Sequence, residues 1–197
     1  MSHQGETTLQ KLEGIAGSLN SLVLVKRLVL HSDPLYMRLY ASTSKSDWFR
    51  LPPTNACLRV FAFTSSLLDS MAALCAMGGA TLTVVSIPQF YQVIAAARGE
   101  AGPDFRLNLV DSSLSCKATA NGIGWLSTAE IFAANYAAHG VDTHFRLDGH
   151  LTPYGNSLLA QIVCDSLLPM VRQAKQNLGT SFEHTKTLSK TVVDSVQ

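Results

Sequence analysis

An acid and a histidine stand two positions apart in Asp148-Gly149-His150, and Leu151-Thr152-Pro153-Tyr154-Gly155-Asn156 follows at once. A carboxylate beside an imidazole fixes the ring's tautomer and stabilises its protonated form. The ring can then take a proton from a hydroxyl nucleophile and return it to a leaving group. That chemistry needs a nucleophile within hydrogen-bond reach. No serine of the chain stands in an obvious nucleophile motif. Ser65 and Ser66 read as helix-start residues, for which capping is a sufficient role. Ser86 falls in a strand and Ser157 in the last helix. The plain alternative for Asp148 is a side chain that caps a turn. A different chemistry is metal binding. His139, Asp142, His144, Asp148 and His150 cluster in one stretch, and His and carboxylate ligands suit Zn²⁺ or Mn²⁺. No H-E-x-x-H spacing supports it. No motif implies a cofactor.

The elements that must position this loop can be read from periodicity. Residues 1–10 are polar. Apolar residues then recur near helical spacing at Leu12, Ile15, Leu19, Leu22, Val23 and Leu28. Asp33-Pro34 marks a new helix start, with a short helical piece over Leu35–Tyr40. Residues 41–56, rich in Ser, Thr and Pro, read as a loop. The pattern predicts an amphipathic helix over Thr64–Met77. Thr64 or Ser65 would cap it, and Leu67, Leu68, Met71, Leu74 and Cys75 would form its buried stripe. Gly78-Gly79 ends it. Thr81–Ile87 is a β-branched strand stopped by Pro88.

A noisier second copy follows. Phe105–Ala120 reads as helix, Ile123–Leu126 as a short strand, and Ser127 with Glu130 as a capping box for a helix to about Ala138. Thr152 caps a last helix, to about Gln176, with Pro153 at its first position. The tail 177–197 is polar. Helix, double glycine and strand form the αβ half of a parallel unit, so the fold class is α/β. Only two strands are evident, few for a parallel sheet. The expected domains are a lead-in over 1–24, an α/β domain over 25–176 and the tail.

Composition bounds the function. The chain has 197 residues, 47 % hydrophobic and 15 % charged, with a formal net charge of +1. That describes a core-forming chain and gives no electrostatic case for nucleic acid. Cys57, Cys75, Cys116 and Cys164 lack C-x-x-C spacing and are expected to be buried free thiols. The apolar run over 19–30 holds Lys26 and Arg27 and is too short for a transmembrane segment. Nothing at the N-terminus reads as a signal peptide.

The order of elements resembles the C-terminal half of an SGNH/GDSL-type hydrolase. The resemblance covers roughly 25–170. It rests on ATLTVVSIP at 80–88, GIGWL at 122–126, and above all DGHLTPYGNSLLAQIV at 148–163, with LHSDPLY at 30–36 as a weaker match. It implies a partial three-layer α/β/α sandwich, flavodoxin-like, lacking its first strands. It also implies hydrolysis or transfer of acyl esters, with His150 as general base and Asp148 as orienting acid. The family's serine and its oxyanion glycine and asparagine have no match. The acid and histidine stand two apart here, as in some branches, whereas many members space them three apart. The chain alone is therefore expected to be inactive. Pro88, Phe90 and Tyr91, at the carboxyl end of the strand, would meet the substrate, a lipid or glycan acyl ester. The alternative is a catalytically dead domain that binds a ligand or partner. In either case the unpaired edge of strand 81–87 invites self-association or a partner strand.

Overall fold

A computed structural model describes residues 30–169, 171 and 172. The expected helix over 12–28 and the tail lie outside the described residues. The fold is mixed α/β, mostly helical, with a short two-stranded parallel sheet. Contacts divide the chain into two units, Met1–Thr152 and Pro153–Gln197.

In the first unit, helix α1 spans Asp33–Ala41. Pro34 sits in its first turn, where its missing N–H costs nothing, and Tyr36, Met37 and Tyr40 are buried. A 3-10 helix, Ser44–Phe49, follows inside the stretch expected to be loop. Helix α2 is Asn55–Met77. It starts well before the predicted Thr64, because the Thr54 hydroxyl already accepts the Cys57 N–H at 3.2 Å. Ser65 and Ser66 therefore lie inside a helix rather than at its start.

The expected stripe of α2 is also corrected. Cys57 and Phe61 are buried, and residues 64, 65, 68, 72 and 75 on the same face are half-buried. Leu67, Met71 and Leu74 lie on a second face with Val60, Phe63 and Met77, all 42–85 % exposed. The helix is apolar on both faces, so periodicity alone could not choose between them. Among the described residues, α2 is the helix long and apolar enough to cross a membrane by length and composition, at a mean hydropathy of 1.6. Its Cys57–Phe61 face packs against Leu109 and Leu114.

Strand β1, Thr83–Ser86, leads through the buried Pro88 into helix α3, Phe90–Arg98. Helix α4 is Leu109–Ala120 and strand β2 is Gly124–Ser127. The strands pair in parallel from Thr83↔Gly124 to Ser86↔Ser127. Glycine at 124 leaves room for the Thr83 side chain opposite it. A Cβ there would lie 2.6 Å from Thr83 Oγ1. Helix α5 is Ala129–His139 and stops at Gly140, at φ 63°. The expected Ser127–Glu130 capping box is not formed. Thr128 is the N-cap, one residue later than expected, and the Ser127 hydroxyl donates to Asp111 Oδ2 on α4 at 2.9 Å.

Two apolar clusters hold these elements. Cys57, Phe61, Leu109 and Leu114 gather with Trp48 and Trp125. Rings from α1, α3 and α5 meet in the other, where Phe90 packs on Tyr36 and edge-on to Tyr136. Of the cysteines, all free, only Cys57 is buried, whereas Cys116 and Cys164 are exposed. Both strands are only half-buried, although parallel sheets usually have both faces covered. In the second unit, residues 153–169 form a helix. There the Ser157 hydroxyl donates to Pro153 O at 3.0 Å.

Candidate functional site

The Asp148-Gly149-His150 segment forms the tip of a tight loop. Its legs meet in an antiparallel bridge between His144 and Leu151. The Phe145 N–H donates to His150 O at 2.7 Å, and the Gly149 N–H to Phe145 O at 2.8 Å. Gly149 sits at φ +79°, a left-handed conformation that a side chain would strain. At this tip Asp148 Oδ1 accepts the His150 backbone N–H at 2.9 Å. The same oxygen lies 3.3 Å from His150 Nδ1. Asp148 thus caps a turn and faces the ring of His150 at once. The backbone N–H of His150, and then its ring, hold the Asp148 carboxyl below its ordinary value. With Nδ1 turned to the carboxylate, Nε2 is the nitrogen left to exchange a proton. Both side chains are solvated, at 57 % and 83 % exposure.

The loop is anchored from beneath by Arg146 and Tyr136, which no sequence motif marks, and by Asp33, Asp142 and His144. Arg146 is 10 % exposed and grips Asp142 through two bonds of 2.7 Å each. It also donates to Asp33 Oδ1 at 2.8 Å and to Leu30 O at 2.9 Å. Its guanidinium lies 5.1 Å from the centre of the Phe90 ring, within cation–π range. The Tyr136 hydroxyl donates to Asp33 Oδ2 at 2.9 Å. Burial, then that bond to Asp33, push the Tyr136 phenol up to about 12. One cation therefore ties α1, α3, α5 and the loop together. The sequence carried one signal of it, the Asp142/Arg146 pair four residues apart.

His144 is the second anchor. Its Nε2 lies 2.9 Å from Pro88 O and its Nδ1 2.9 Å from Thr143 Oγ1. The tautomer that satisfies both has Nε2–H donating to the carbonyl and the threonine hydroxyl donating to Nδ1. Burial pushes this imidazole below its ordinary pKa.

These placements leave the metal reading without support. Among the described residues no group of three His, Cys, Asp or Glu is arranged to hold an ion. Asp142 is taken by Arg146 and His144 by Pro88, while His139 ends α5.

Pro88, Phe90 and Asp148 line one cavity of about 520 Å³. His150 is not in its wall. Tyr91 is turned away from it, 3 % exposed and stacked on Tyr40 at 4.6 Å between ring centres. No family model, curated protein or solved structure matches this chain.

Proposed function

We propose that this chain carries the acid–histidine half of an SGNH-type acyl-ester hydrolase. In this reading His150 is the general base and Asp148 its orienting acid. The observation that carries the reading is the loop tip. One carboxylate oxygen meets both the backbone N–H and the ring Nδ1 of His150, and Nε2 is left to serve a nucleophile. The nucleophile and the oxyanion donors come from polypeptide outside the described residues. The two strands and their helices are then part of a three-layer α/β/α sandwich.

The test is expression with the coding sequence that precedes the Met1 codon. A preceding in-frame strand and serine loop should give turnover of a short-chain p-nitrophenyl ester. That turnover should fall by several orders of magnitude in His150→Ala. The chain without it should show negligible turnover. Turnover by the present chain that is lost in His150→Ala would place the nucleophile inside it.

One observation favours a second reading, a catalytically silent domain that binds a partner or a second copy. The two-stranded sheet leaves one edge of β1 unpaired among the described residues, and α2 exposes an apolar stripe. Concentration-dependent self-association without any ester turnover would select this reading.

A further inference from the structure

We infer that the cavity beside Asp148 is an acyl-chain site, one that selects esters with chains longer than acetyl. The inference rests on the hydrolase reading for which end of the ligand meets Asp148, but the site itself is argued from its walls. Leu39, Ile87, Leu147 and Leu151 supply apolar surface. Two buried polar groups of the wall are already satisfied: Arg146 is closed by Asp33 and Asp142, and His144 by Pro88 and Thr143. Neither makes a directional demand on a ligand, so the polar part of the wall that a guest meets is Tyr36, Gln89 and the Asp148 carboxylate, and the rest selects by apolar contact and shape. Lys45 stands exposed at the wall. The cavity's 520 Å³ falls in the range of small-molecule sites, roughly 300–1,000 Å³. It lies beyond Ser86, at the carboxyl end of β1, where open α/β sheets bind ligands. Leu39, Ile87 and Leu147 are each about half exposed, the exposure of side chains that an apolar guest would cover.

A neutral probe avoids repulsion from the Asp148 carboxylate. The full chain would be titrated with 1-hexanol, 1-octanol and 1-decanol and followed by amide NMR. Shifts should concentrate at residues 87–90 and 147–151. Affinity should rise with each added methylene, by up to about fourfold. Leu39→Trp and Leu147→Trp, at exposed positions that tolerate a large side chain, should each abolish the shifts. Leu58→Trp on α2, outside the cavity, should not. Shifts spread along the α2 stripe and unchanged by the two cavity variants would overturn the site, as would affinity independent of chain length. Failure here leaves the His150-dependent turnover test untouched, and failure of that test leaves chain-length-dependent binding standing. The two ideas therefore fall separately.

Discussion

At the scale of single residues, the loop that presents Asp148 and His150 owes its position to two side chains that face away from solvent. Arg146 carries a buried charge balanced by Asp33 and Asp142. Replacing one member of such a group leaves its partners uncompensated, at a cost of about 3–5 kcal/mol. Arg146→Met should therefore lose most of the chain's stability in urea denaturation. Adding Asp33→Asn and Asp142→Asn should recover part of the loss, because the orphaned charges go with them. His144 makes a different demand. Its folded pKa lies below the ordinary value because burial disfavours the charged ring. The native state thus binds fewer protons than the unfolded chain. The stability that depends on neutral His144 is complete above about pH 6.5 and is lost as pH falls from there towards the folded pKa. Thermal melts from pH 8 to pH 5 should show Tm falling, with a shallower fall in His144→Gln. A parallel fall in both proteins would remove His144 from this role. Sequence spacing made Asp148 and His150 legible because they are near neighbours. It could not reveal that Asp33 and Tyr136, 103 positions apart, share a bond.

At the scale of elements, legibility followed how one-sided each pattern was. Thr81–Ile87, short and β-branched before Pro88, gave the strand Thr83–Ser86. Gly78 did end its helix. Helix α2 starts earlier and buries another face than its pattern suggests, because Asn55–Met77 is apolar on two faces and its cap at Thr54 lies in a stretch expected to be loop. That cap has a testable worth. Thr54→Ala should cost about 1 kcal/mol in chemical denaturation. The strand pairing can be tested more sharply. Gly124→Ala would push a methyl to 2.6 Å from Thr83 Oγ1. Overpacking of this kind costs roughly 1–3 kcal/mol. The double variant Gly124→Ala/Thr83→Ala removes the hydroxyl and the Cγ2 methyl that crowd the new carbon, and should recover most of the loss. No recovery would mean that residues 83 and 124 are not partners, and the parallel register would be wrong.

For the whole molecule, exposed backbone and apolar surface set how the chain behaves in solution. Among the described residues the sheet has two strands, and both are half-buried. Val60, Phe63, Leu67, Met71, Leu74 and Met77 form an uncharged stripe along α2. An unpaired strand edge offers backbone donors and acceptors to any extended chain. An exposed apolar stripe of this length marks a surface that associates. Together they predict that the isolated chain self-associates at micromolar concentration, which sedimentation velocity would show as a weight-average mass rising with concentration. Phe63→Glu with Leu74→Glu places two like charges on the stripe without touching Cys57 or Phe61, the residues that α2 buries. These changes should shift the population towards monomer while leaving the helical circular dichroism intact. If the edge of β1 rather than α2 drives association, the double variant will still self-associate. A proline at Val85 should then weaken it, since proline cannot donate along an edge. A sharp two-state melt from a parent chain that stays monomeric at every concentration would contradict both routes, because neither exposed feature would then need a partner.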